Sequence, residues 1–236
     1  QKSNRFYKIV IIGVKKLKHT EALLKAEKFQ QKMEKIAQND YWRPQYHIAA
    51  PANWINDPNG FCFYKGEYHL FYQYHPYSSQ WGPMHWGHVA SKDLADWEHR
   101  PIALAPTDEY DKDGCFSGSA IENDGKLYLL YTGHVDLDNS NGGNDRIETQ
   151  CLAVSDDGKH FEKVENNPVI KALPENLNIR TEHFRDPKVW KHGDWYYTVV
   201  GVQTIEESGQ VVVYKSQDLI NWEFLNIMAT SSVKEN

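Results

Sequence analysis

Two kinds of periodicity divide the chain. From Thr20 to about Gln38, Leu23, Leu24, Met33, Ile36 and Ala37 recur among Lys, Glu and Gln at helical spacing. Thr20 reads as the N-cap, and Glu21 and Lys25 form an i,i+4 charge pair, which predicts one amphipathic helix. Residues 1 to 18 are basic and mixed and carry no assignment. Beyond Asp40 the helical period stops and short alternating runs take over. Three of them share a plan of a glycine turn followed by an aromatic, β-rich strand: K-G-E-Y-H-L-F-Y-Q-Y (65 to 74), D-G-K-L-Y-L-L-Y-T-G (124 to 133) and H-G-D-W-Y-Y-T-V-V-G (192 to 201).

A second unit follows each hairpin: S-K-D-L-A-D-W-E (91 to 98), S-D-D-G-K-H-F-E (155 to 162) and S-Q-D-L-I-N-W-E (216 to 223). Their serines are 64 and 61 residues apart. A repeat of this length built from short strands predicts radially arranged blades, a β-propeller. A β-sandwich would not require the shared register. Trp97, Phe161 and Trp222 hold one repeat position and read as core aromatics, whereas Trp81 falls outside the repeat and suits a sugar platform. The expected division is an N-terminal extension and helix over 1–40, then a partial propeller over 41–236.

The register also locates the chemistry. Asp57, Ser117 and Asp186 precede the hairpin glycines Gly66, Gly125 and Gly193 by 9, 8 and 7 residues. They should open the innermost strands and converge at one mouth of the central channel. In N-W-I-N-D-P-N-G (53 to 60), Pro58 biases Asp57 towards an extended backbone, and Asn59-Gly60 favours a tight turn. The expected product is a carboxylate held at a strand end. Paired carboxylates in an aromatic funnel suit glycoside hydrolysis. Arg185 beside Asp186 is expected to keep that carboxylate ionised, making it a poor general acid and a better hydrogen-bond acceptor for sugar hydroxyls.

The stretches W-I-N-D-P-N-G, F-Y-Q-Y-H-P-Y, W-G-P-M-H-W-G-H, F-S-G-S and F-R-D-P-K-V-W together resemble glycoside hydrolase family 32, the β-fructofuranosidases, over about Tyr41 to Glu223. The resemblance implies a five-bladed propeller followed by a β-sandwich, with this chain carrying about the first three blades. It implies retaining hydrolysis of sucrose or sucrose 6-phosphate, most like the intracellular enzymes. Asp57 would be the nucleophile and Asp186, with Arg185, would hold fructose hydroxyls. Asn56, Gln73, Trp81, Phe116 and Ser117 would line the fructose subsite. No metal or organic cofactor is implied. The family's general acid is a Glu followed by Cys, and no such pair occurs in the 236 residues. Glu182, Glu206 and Glu207 do not stand at the start of a first strand. The expectation is an N-terminal part of such an enzyme, ending in or before the fourth blade and lacking the acid. The alternatives are a non-catalytic fructoside-binding propeller fragment and a five-bladed arabinan- or xylan-type glycosidase.

Composition narrows the field. A net charge of −6 and pI near 6.0 argue against nucleic acid or an anionic membrane as partner. Cys62, Cys115 and Cys151 are odd in number and widely spaced, which suits a reducing compartment, so the expected location is cytoplasmic. His85 and His88 resemble a metal pair, but alternation puts them on opposite strand faces, so a structural role is expected. The Asn/Gly/Asp-rich run from Asp136 to Arg146 predicts a loop that either shapes the leaving-group subsite or is simply solvated.

Overall fold

The computed structural model describes residues 2–44, 46–137, 145–173 and 177–234, with side chains from residue 18 onward except 232 and 234. A single helix, α1 (Lys2–Ala37), precedes twelve strands: β1 (Trp54–Tyr64), β2 (Glu67–His75), β3 (His85–Ser91), β4 (Glu98–His99), β5 (Gly114–Asn123), β6 (Lys126–Asp136), β7 (Arg146–Ser155), β8 (Glu162–Lys163), β9 (Ile179–His192), β10 (Trp195–Thr204), β11 (Ser208–Ser216) and β12 (Glu223–Lys234). They form three antiparallel four-stranded sheets, each in simple sequential order. These are three blades of a β-propeller.

Thr20 is not the N-cap. The helix already runs through it from Lys2, so Thr20 lies mid-helix. Its inward face is His19, Leu23 and Ala26, packed on blade one near Tyr72, Tyr74 and Ile102, whereas Leu24 and Ile36 face solvent. Glu27 accepts a hydrogen bond from the Ile102 backbone N–H at 3.2 Å, and His19 Nε2 accepts one from Ala105 N–H at 3.2 Å. The strip 102–105, which runs beside the outer strands of blade one, is thereby tied to the helix.

The blades stack through alternation along their strands. Leu129 packs towards blade one, with Phe71, Trp86 and Phe161, while the next residue, Leu130, packs towards blade three, with Val189, Tyr196 and Leu219. Blade two therefore serves as core for both of its neighbours. The serine units close the blades with one hydrogen-bond pattern. Ser91, Ser155 and Ser216 each donate to the Asp two residues on (3.0, 2.9 and 3.0 Å), and that Asp accepts backbone N–H groups of the turn. Phe161 is buried as expected; Trp97 and Trp222 are half-buried, each donating its indole N–H back to Leu94 or Leu219.

His85 and His88 are both fully buried. His85 Nδ1 meets the Pro83 carbonyl at 3.0 Å, and His88 stacks on Phe71 and contacts His69 at 3.0 Å. No metal-binding cluster forms among the described residues. Nor is any described helix long and apolar enough to cross a membrane.

Candidate active site

The sequence expectation of a tight turn at Asn59-Gly60 does not hold. Both residues sit inside β1, and the turn-prone composition goes into bulges. Between the pairs Ile55↔Tyr74 and Pro58↔Tyr72, β1 carries one residue more than β2, so Asn56 and Asp57 share the space opposite Gln73. Blade two repeats this: Phe116 pairs with Thr132 and Gly118 with Tyr131, leaving Ser117 unpaired. In blade three, Asp186 and Pro187 lie opposite Val200, and Asp186 adopts φ 63°, a region asparagine and aspartate enter more readily than most residues. The inner strand of each blade thus has an irregularity at the same place. The side chain that escapes the ladder is turned out in each case.

These bulges bring the predicted residues together. Ser117 Oγ donates to Asp57 Oδ2 at 2.9 Å, bridging blades one and two. Next to it, Gly118 lets β5 lie tight against β6: a Cβ there would sit 2.1 Å from the Leu130 carbonyl oxygen. Phe116 is half-buried, its ring stacked on His134 at 3.9 Å, with Trp81 edge-on at 6.2 Å. Trp81 is about half exposed (53%) and forms an open aromatic wall. Asn56 is exposed beside Asp57, its Oδ1 accepting from Trp54 Nε1 at 2.6 Å. Gln73 is placed differently. It is buried beneath the bulge with Nε2 donating to the Cys115 carbonyl at 3.0 Å, so it supports the inner strand of blade two from below.

Arg185 favours the ionised form of Asp186 as expected, but the two are not hydrogen-bonded and burial outweighs the arginine. Arg185 turns to Glu148, Nη1 to Oε1 at 3.2 Å, and its Nε remains 3.9 Å from Asp186 Oδ2. Partial withdrawal from water is the largest influence on Asp186. Arg185 opposes it, Glu148 and Asp57 reinforce it, and the carboxyl is lifted above its usual range. A cleft of about 390 Å³, lined by His183, Arg185, Asp186 and Gln203 among others, continues from Asp186 along blade three. Another cavity, between α1 and the outer parts of blades one and two, contains none of the candidate residues.

Three contributors were not foreseen. Glu148, fully buried on β7, accepts from Phe184 N–H at 3.0 Å. Thr132 Oγ1 accepts from Asp186 N–H at 3.1 Å, and His134 underlies Phe116. The available signal was positional. Thr132 and Gln73 both stand seven residues after their hairpin glycines, and in E-T-Q-C-L (148 to 152) Glu148 and Gln150 share the face that meets blade three.

Residues 47–236 match the Glycosyl hydrolases family 32 N-terminal domain. The chain belongs to glycoside hydrolase family 32. It is 50% identical to a sucrose-6-phosphate hydrolase of Escherichia coli over 194 residues, 82% of this chain and 39% of the relative. To a raffinose invertase of the same organism it is 44% identical, covering 88% of this chain and 42% of the relative. A Bombyx mori GH32 β-fructofuranosidase superposes with a TM-score of 0.79 at 47% identity, covering 90% of this chain and 43% of that one. The chain therefore spans about two fifths of the length of the family 32 proteins it matches.

Proposed function

We propose that this chain forms the fructose-binding half of a retaining glycosidase that cleaves the β-fructofuranosyl bond of sucrose or sucrose 6-phosphate. The observation that carries the reading is the convergence of Asp57, Ser117 and Asp186 on inner-strand bulges of three successive blades in a family 32 chain. In this reading Asp57 is the nucleophile that attacks the anomeric carbon. The Ser117 hydroxyl at 2.9 Å stabilises and aims its carboxylate. Asp186 and Arg185 bind fructose hydroxyls and stabilise the oxocarbenium-like transition state. Asn56, Phe116 and Trp81 form the walls, and Gln73 acts as their support. The relatives' names and the complex of the Bombyx mori enzyme with sucrose support a small fructoside as ligand. No residue of the chain is assigned the leaving-group proton, since the Glu-Cys pair is absent from the sequence. A cytoplasmic setting belongs to the same reading, supported by three unpaired cysteines, two of them buried.

The deciding experiment is fructose release from sucrose and from sucrose 6-phosphate by this chain and by Asp57→Ala, with calorimetric binding measured alongside. Release that disappears in Asp57→Ala supports the proposal; release that survives overturns it. Binding without release that is unaffected by Asp57→Asn favours a fructoside-binding module.

A further inference from the structure

Glu148 is a carboxylate with no water around it, two strands away from a site that already holds Asp57 and Asp186. Burying such a charge is costly unless it is paired and hydrogen-bonded. Here both conditions are met by one short segment of blade three. Oε2 accepts from the Phe184 backbone N–H at 3.0 Å, and Oε1 from Arg185 Nη1 at 3.2 Å. His134, stacked under the Phe116 wall, brings Nδ1 to 3.4 Å from Oε1.

Joining blades does not need a charge. Trp86 Nε1 donates to the Phe116 carbonyl at 3.1 Å, and Gln150 Nε2 donates to the Phe184 carbonyl at 2.6 Å, both from neutral side chains. The charge on Glu148 has a more specific target, the guanidinium of Arg185. An arginine that reaches a carboxylate frequently closes on it in a two-pronged pair. In this site the approach to Asp186 is 3.9 Å, beyond hydrogen-bonding distance, while Nη1 is engaged by Glu148. Asp186 keeps 59% of its side-chain surface open, and the arginine makes no hydrogen bond to its carboxylate.

We propose that Glu148 is a positioning residue: it draws Arg185 back so that the Asp186 carboxylate stays available to substrate hydroxyls. The inference rests on the fructoside site proposed above. The charged groups that act on Asp186 are Arg185 on its own strand, Glu148 from β7 and Asp57 from β1. Those around Glu148 are His134 on β6 and Arg185 and His183 on β9.

The test substitutes Glu148→Gln, which retains an oxygen acceptor for Phe184 N–H and removes the charge. Steady-state kinetics on sucrose are measured together with a ¹³C NMR titration of the Asp186 carboxyl, identified by its loss in Asp186→Asn. With Arg185 released onto Asp186 and the Glu148 repulsion gone, the Asp186 titration should move to lower pH. By the sensitivity of catalysis to such misplacement, kcat should fall about tenfold or more. An Asp186 titration identical to that of the parent protein overturns the inference. If the parent releases no fructose, as a half without the acid would not, the titration alone decides the role of Glu148. Should Glu148→Gln not fold, Glu148→Asp decides. Its shorter arm should loosen Arg185 and lower kcat, and parent-like kcat and titration would again overturn the inference.

Discussion

Acidification from about pH 7.5 to about pH 5.5 should weaken the fold, and the buried histidines set the amount. Burial, aided by the charge of Lys163, pushes His19 down from 6.5 to about 3. His85 is likewise lowered to about 3, chiefly by burial, and His88 is lowered well below its usual value by burial and by His69. Each folded value lies below the unfolded one, so the unfolded chain binds the extra protons. The stabilisation is complete above pH 6.5 and is lost progressively as pH falls below it. One pH unit below the unfolded value costs about 1.4 kcal/mol per histidine, so His19 and His85 together account for about 3 kcal/mol at pH 5.5. Against a typical total of about 5–15 kcal/mol this is a large share. Asp186, raised in the fold, acts in the opposite sense. The depressed Asp218, at about 2, exerts its effect only at lower pH. Urea unfolding followed by tryptophan fluorescence across this range measures the loss. The decisive variant is His19→Gln, whose carbonyl can take over the bond from Ala105 N–H without titrating. It should remove about 1.4 kcal/mol of the pH-dependent loss. A pH dependence unchanged from the parent's would refute the reasoning.

Two other substitutions probe the scaffold under the site. Gly118→Ala places a methyl against the backbone at Leu130 and Tyr131, at 2.1 and 2.8 Å, so β5 and β6 must part. Overpacking of this kind costs about 1–3 kcal/mol; a urea midpoint within error of the parent's would contradict the close approach. Lys163→Met removes the cation from a buried cluster in which Nζ reaches Asp111 at 2.6 Å and Asp108 at 3.3 Å. Breaking such a pair typically costs about 3–5 kcal/mol, and a loss below about 1 kcal/mol would show that the cluster contributes little.

The repeat was readable because each blade must bury the same faces, so hairpin glycines, serine turns and packing aromatics return in register. That register aligned Asp57, Ser117 and Asp186 on the inner strands without any structure, although Asp186 lies in the middle of β9 rather than at its start. What it could not supply was how they leave the ladder. D-P-N-G looks like a turn by composition, and only the pairing with β2 reveals a bulge. The start of the helix was missed because residues 1 to 18 lack a clear polar–apolar period, so Thr20 stood out as a false beginning. Glu148 was hidden for another reason: a lone acid in a strand gives no hint that a backbone N–H and an arginine from a different blade will meet it. The expectation for the loop within Asp136 to Arg146 falls largely outside the described residues.

The recurrent bulge has a consequence for how such a site can diverge. A residue in the ladder must satisfy its neighbours on both strands, and its replacement disturbs the blade. The residue expelled at the bulge is free of that obligation. The same architectural slot holds an aspartate in blade one, a serine in blade two and an aspartate in blade three, while the hairpins and packing faces around them stay alike. Duplicated blades can therefore exchange the side chain at the channel mouth one at a time, and new chemistry can arise at little structural penalty.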